Sequence, residues 1–290
     1  MDQGFKGMRV ITSVSFMRRL SQKAGRERKT IGFVPTMGCL HEGHASLLRK
    51  SKKENDITVL SIFVNPKQFT PTEDFARYPR DFKKDELLAK NQKVDIIFHP
   101  SAEEIYPEGY LTAVEVEGLS DILCGKFRPG HFRGVTTVVL KLLNIVSPHR
   151  LYLGQKDAQQ AVIIQKMVED LNVPVKVKVL PTVREEDGLA MSSRNAYLTA
   201  QERQEARILF EALNLATTKI LSGERDSKNI VGMIRDLIRS KTQTSRIDYI
   251  ECVDARSLEP LTILSGDILI ALAVWFGAAR LIDNICVRLP

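Results

Sequence analysis

Along the first 180 residues, short apolar runs alternate with stretches in which apolar residues recur every three or four positions. The runs at residues 30–35 (TIGFVP), 57–64 (ITVLSIFV) and 94–98 (VDIIF) are rich in β-branched residues and nearly unbroken, and 151–153 and 173–180 add two more candidates. Such runs suit strands covered on both faces, the environment of a parallel sheet. Helical periodicity fills the gaps at residues 44–55, 80–91, 134–145 and 157–171. This alternation builds βαβ units with right-handed crossovers, and predicts an α/β fold with a Rossmann-like doubly wound parallel sheet.

Beyond residue 180 the texture changes. Residues 200–221 read as one long amphipathic helix that Thr199 is placed to cap, and 227–241 as a second helix. The runs at 247–253, 268–275 and 281–288 read as strands with little helix between them. That is the pattern of a smaller α+β domain with an antiparallel sheet. Pro181 and Gly188 interrupt the chain at the change of pattern, which predicts an N-terminal domain over 1–182 and a C-terminal domain over 183–290.

Composition narrows the class. With 43% hydrophobic and 27% charged residues in a chain of 290, disordered, collagen-like and coiled-coil readings fall away. The longest apolar run, 268–279, is well short of the roughly 20 residues that a membrane span needs. No apolar stretch follows the basic N-terminal residues, so a cytoplasmic protein without a membrane partner is expected. Cys39, Cys124, Cys252 and Cys286 form no paired spacing, which predicts reduced thiols and no protein metal site.

The net charge of +7 is unevenly spread: the first 29 residues hold eight Lys/Arg against two acids, while the remaining 261 hold 34 against 33. The excess falls largely on one predicted surface helix over residues 13–26, without aromatic residues interleaved for stacking. A solvated helix face is therefore favoured, and no nucleic-acid partner is expected.

Four segments are too polar to be ordinary connections. Pro35-Thr-Met-Gly-Cys-Leu-His41-Glu-Gly-His44 directly follows a strong strand and opens a helix. In open α/β sheets ligands sit at the carboxyl ends of strands, where helix N-termini present free N–H groups to anions. Gly38 and Gly43 allow a phosphate to approach the backbone closely, and His41 and His44 share the first turn, placed to donate to it. Gly154-Gln-Lys156-Asp157 repeats the strand-to-helix pattern, with Lys156 a compact cation for a phosphate oxygen and Asp157 a potential helix cap. Met191-Ser192-Ser193-Arg194 offers hydroxyls, amides and a guanidinium, the makings of a polyphosphate cradle. Asn65-Pro-Lys-Gln68-Phe69 places amides beside apolar groups; this fits a small hydroxylated ligand, or equally a buried turn.

Together these segments resemble the HIGH and KMSKS elements of the nucleotidyltransferase superfamily. The stretches VPTMGCLHEGH, SIFVNPKQF, ARYPRD, EIYP, RPGHFRGV, GQKDAQQ, DGLAMSSRNAYL and ARLIDN run in order from residue 34 to 284, and resemble the pantothenate synthetase (pantoate–β-alanine ligase) family. The resemblance implies that ATP and pantoate form pantoyl adenylate, which β-alanine then attacks to release pantothenate and AMP. It implies an ATP site of Met37, Gly38, Cys39, Leu40, His41, Glu42, Gly43 and His44 with Gly154, Gln155, Lys156, Asp157, Val183, Met191, Ser192, Ser193 and Arg194. Among these His44, His41, Lys156, Ser192, Ser193 and Arg194 would carry the chemistry, with His44 the proton-donating histidine. Gln68 and Gln160, with Pro35 and Asn65, would hold pantoate, and Gln68 would also lie near β-alanine. A homodimer is implied as well.

Gln155 stands where many relatives carry Glu, and Cys39 occupies a variable position. With no cage of carboxylates in the sequence, Mg²⁺ is expected to ride on the ATP phosphates. Two rival functions are an adenylyltransferase that retains AMP in its product and a basic nucleic-acid-binding protein. The Asn65–Gln68 and Gln160 amides argue against the first, the charge distribution against the second.

Overall fold

The computed structural model describes residues 7–70, 75–243 and 245–289. The expectations that involve Met1, Asp2 and Lys6 lie outside the described residues. The chain divides into two compact units. One comprises the residues up to Ser120 with Arg128–Gly154 and Ile163–Leu180; the other comprises Asp121–Phe127, Gln155–Val162 and the stretch from Pro181 onward. The long final stretch of the second unit starts at Pro181, and two short earlier segments also belong to that unit.

The first unit is built on six parallel strands, β1 (Arg9–Ile11), β2 (Ile31–Thr36), β3 (Ile57–Ile62), β4 (Ile96–Phe98), β5 (Arg150–Gly154) and β6 (Lys176–Leu180), in the order β1-β4-β3-β2-β5-β6. Every residue of β3 is buried, as its unbroken apolar run requires. The strand expected at 173–180 begins at Lys176, because Pro174 has no N–H to give to a ladder. The edge strand β1 was not anticipated; three residues, of which only Ile11 is buried, carry no readable period.

The helices of the chain up to β6 are α1 (Val14–Arg26), α2 (Glu42–Glu54), α3 (Phe82–Asn91), α4 (Ala102–Ile105), α5 (Cys124–Phe127), α6 (His131–Val146) and α7 (Ala158–Asp170). Helix α1 packs on α6, and α2 packs on α3. From β2 the chain winds outward through β3 to β4, then restarts on the other side at β5 and β6. The order reverses between the neighbours β2 and β5, and such a switch point is where open α/β sheets place ligands.

In the second unit, α8 (Ala200–Glu205), α9 (Ile208–Leu221) and α10 (Ser227–Lys241) accompany an antiparallel sheet of β7 (Ser245–Asp254), β8 (Asp267–Phe276) and β9 (Ala279–Arg288). Thr199 and Glu202 form a reciprocal capping box at the start of α8. The helix expected over 200–221 is interrupted, however. Leu209 and Phe210 donate to the carbonyls of Ala206 and Arg207, three residues back, and this tighter turn seats Ala206, Ile208 and Leu209 together in the core. Leu213, Ile220, Ile234 and Ile238 pack there against Ile270, Leu272 and Val274 of β8.

Candidate active site

The loop that leaves β2 is fixed from below. Gly38 and Cys39 both take left-handed backbone conformations, at φ +87° and +51°. A Cβ on Gly38 would lie 2.8 Å from an Asp85 carboxylate oxygen, so only glycine suits both the angle and the space. Asp85, from α3 and 3% exposed, accepts the N–H groups of Cys39 at 3.0 Å and Leu40 at 2.7 Å. Burial raises the Asp85 pKa, and the two backbone donors pull the other way. The same burial, with Asp85 nearby, raises the Cys39 thiol, which suits an inert side chain.

His41 is the N-cap of α2, and Nδ1 of its ring accepts the Gly43 N–H at 3.1 Å. Nδ1 of His44 in turn accepts the His41 N–H at 3.3 Å, closing a capping box made of two imidazoles. Gly43 is required here, since a Cβ would sit 2.8 Å from the His41 ring. Both Nδ1 atoms act as acceptors, so the hydrogen-bond network assigns each neutral ring its proton at Nε2. The rings lie 4.2 Å apart between centroids. Glu42, expected at the nucleotide, pairs with Arg49 on the same helix, and Leu40 packs toward the core of the sheet.

Gln68 belongs to the same unit. It ends the 3-10 turn Pro66–Gln68, where its Nε2 donates to the Met37 sulfur at 3.2 Å and its Oε1 accepts from Asn65 at 3.0 Å. Asn65, 1% exposed, has both amide protons used, by Gln68 and by the Gly134 carbonyl, while its Oδ1 accepts from Tyr106 and the Lys67 N–H. Asn65 therefore supports Gln68 from behind. Burial holds the Tyr106 hydroxyl well above its ordinary pKa, which keeps it a donor to Asn65. Nδ1 of His131 meets the Gln68 carbonyl at 2.8 Å, and Nε2 meets Arg128 at 3.0 Å. Pro35 is half-buried in β2.

The remaining expected residues, apart from Gly154 at the end of β5, fall in the second unit. Gln155, Lys156 and Asp157 form a 3-10 turn, with Asp157 its last residue. Lys156 Nζ lies 3.8 Å from Asp157. Val183 accepts the Met191 N–H at 3.0 Å, beside a bridge between Arg184 and Ala190. Ser192 then caps the turn Ser193–Tyr197 by accepting the Arg194 N–H at 3.3 Å. Lys156 and Ser192 line one pocket with Asn195 and Asp283. Gln160 is half-buried, whereas its neighbour Gln159 is buried, with its amide bonded to Ile122 and Cys124.

Sequence reasoning gave no role to Asp85, Tyr106, Arg128, His131, Asp283 or Asn284. Asp85 looks like any acid on a helix surface. His131 lies in RPGHFRGV, and Asp283 and Asn284 are polar residues in an apolar strand, a usable signal.

A family model described as pantoate–β-alanine ligase matches residues 9–286. The chain belongs to the pantoate–β-alanine ligase family. It is 55% identical over 281 residues to a pantothenate synthetase of Caldicellulosiruptor saccharolyticus, with 97% of this chain and 100% of the relative covered. It is 53% identical to that of Thermotoga neapolitana over 278 residues, covering 96% and 99%. Among solved structures, the pantothenate synthetase of Thermus thermophilus superimposes with a TM-score of 0.90 at 43% identity, covering 96% and 99%. The Francisella tularensis pantoate–β-alanine ligase, a complex with beta-gamma ATP and beta-alanine, gives a TM-score of 0.78 at 36% identity, covering 96% and 97%. At these TM-scores the chain shares its fold with these ligase relatives.

Proposed function

We propose that the protein condenses pantoate with β-alanine at the expense of ATP, giving pantothenate, AMP and pyrophosphate through pantoyl adenylate. The observation that carries this reading for the chain's own residues is the contact between Gln68 and Met37, which joins a buried amide to the histidine-bearing loop. A thioether sulfur is a weak acceptor, so a substrate hydroxyl or carboxylate is a better partner for that N–H.

In the first step a pantoate carboxylate oxygen attacks the α-phosphorus of ATP as the bond to pyrophosphate breaks. In the second the β-alanine amine attacks the acyl carbon and AMP leaves. Attack by one anion on another needs donors and cations around the phosphates. His44 and His41 supply Nε2–H donors, and Lys156, Ser192, Ser193 and Arg194 supply the rest, with Mg²⁺ arriving on the nucleotide. Gln68 and Gln160 hold pantoate, together with Pro35 of β2 and with Asn65 supporting Gln68. The Met37–His44 loop, Gly154–Asp157, Val183 and Met191 frame the nucleotide. On the family resemblance we also propose a cytoplasmic homodimer.

Mass spectrometry after incubation with ATP, Mg²⁺, pantoate and β-alanine should find pantothenate and AMP in equal amounts. A pantoate analogue lacking a hydroxyl leaves a buried amide unpaired at about 1–3 kcal/mol, and should be used roughly ten- to a hundredfold less well. No pantothenate would overturn the reading; equal use of the analogue would remove Gln68 and Gln160 from the pantoate site.

A further inference from the structure

Strand β9 carries Asp283 and Asn284 side by side, 2% and 5% exposed, in an otherwise largely apolar sequence. Successive residues of a strand face opposite sides, so the pair reaches in two directions. The Asn284 amide donates to the carbonyls of Gln155 and Lys156, each at 2.9 Å, and accepts from the Gln155 side chain at 3.2 Å. It thereby fixes both peptide planes of the turn that carries Lys156. Asp283 takes Arg184 in a two-point ion pair at 2.6 and 2.9 Å. Arg184 is further held over the Phe210 ring at 4.0 Å and by the Gly188 carbonyl, and it bridges to Ala190, two residues before Ser192.

We infer that Asp283 and Asn284 are positioning residues for adenylate formation, a two-way brace that sets Lys156 against Ser192 in the pocket those two residues share. The inference rests on the ligase reading, in which both groups stabilise charge on the departing pyrophosphate. Its consequence is specific to the first step. The second step transfers an acyl group already activated and makes no demand on the pyrophosphate side.

The test uses Asn284→Asp, which keeps the shape of the side chain but turns a carboxylate oxygen toward two carbonyls, together with Asn284→Ser. Misplacing a charge-stabilising group by about 1 Å costs up to roughly a hundredfold. Pantoate-dependent exchange of labelled pyrophosphate into ATP should fall about ten- to a hundredfold in kcat, with KM for pantoate within twofold. Aminolysis of supplied pantoyl adenylate by β-alanine should fall at least tenfold less than exchange. In a Lys156→Ala background the Asn284 change should add little, because it acts through Lys156.

Equal loss in both half-reactions, full additivity with Lys156→Ala, or loss of the melting transition in both variants makes the pair merely structural and overturns the inference. Wild-type exchange in Asn284→Asp sinks the inference alone. No pantoate-dependent exchange in the unaltered protein sinks the ligase reading, and the inference with it.

Discussion

His44→Ala is expected to slow adenylate formation by about a hundred- to a thousandfold, the usual result of removing a preorganised donor from a developing anion. The His41 N–H occupies Nδ1 of the His44 ring, which leaves the proton on Nε2. A donor so fixed needs no reorganisation when charge builds on the phosphates. The same substitution opens one half of the capping box and should cost about 0.5–2 kcal/mol of stability. His41→Ala opens the other half at a similar stability cost and also removes a donor, so the melting temperature of each variant reports the capping loss and its rate per folded molecule reports the chemistry. The readout is the single-turnover rate of AMP transfer per folded molecule, with circular dichroism confirming the fold. A rate within a few-fold of the unaltered protein would remove His44 from the mechanism.

Gly134→Ala is expected to be the most damaging one-carbon change in the pantoate region. A Cβ at Gly134 would lie 2.2 Å from the Lys67 carbonyl oxygen, 2.5 Å from its carbon and 2.7 Å from the Gln68 Cα. All three are backbone atoms, which cannot swing aside as a flexible side chain would. Overpacking of this kind costs about 1–3 kcal/mol or more, a drop of roughly 3–10 °C in melting temperature at this chain length. The strain falls on the turn that holds Gln68, so KM for pantoate should also rise about tenfold or more. Gly232→Ala in α10 is the control: a Cβ there meets nothing within 4 Å, and alanine favours the helix by about 0.5–1 kcal/mol. A Gly134→Ala protein that melts and binds pantoate like the unaltered one would contradict the close packing of α6 on the 66–68 turn.

What the sequence revealed and what it concealed follow from the range of the interactions. β2 and β3 were legible because β-branched runs buried on both faces leave a local trace. The histidine loop was legible because its glycines and imidazoles are adjacent in the chain. Asp85 was not: it lies 45 residues from the Leu40 amide it anchors, on a helix whose own pattern gives no hint of the contact. Nor was the role of Asn284, which meets the Lys156 carbonyl across 128 residues. The placement of residues 121–127 and 155–162 in the second unit has the same origin, since Gln159 ties the two segments together through its side chain. Asn65 reads as a ligand group because an amide lies in a polar loop; its bonds to Gln68, Gly134, Lys67 and Tyr106 come from segments up to 69 residues away and leave no local trace.

The order of the chemistry is the central claim, and isotope exchange tests it most directly. The groups assigned to the nucleotide act on phosphates and none requires an amine, so pantoyl adenylate should form before β-alanine takes part. Because that step is reversible, incubation with ATP, Mg²⁺, pantoate and labelled pyrophosphate should move label into ATP. Exchange should proceed without β-alanine and stop when pantoate is withheld. Exchange that required β-alanine, or that ran without pantoate, would contradict the account.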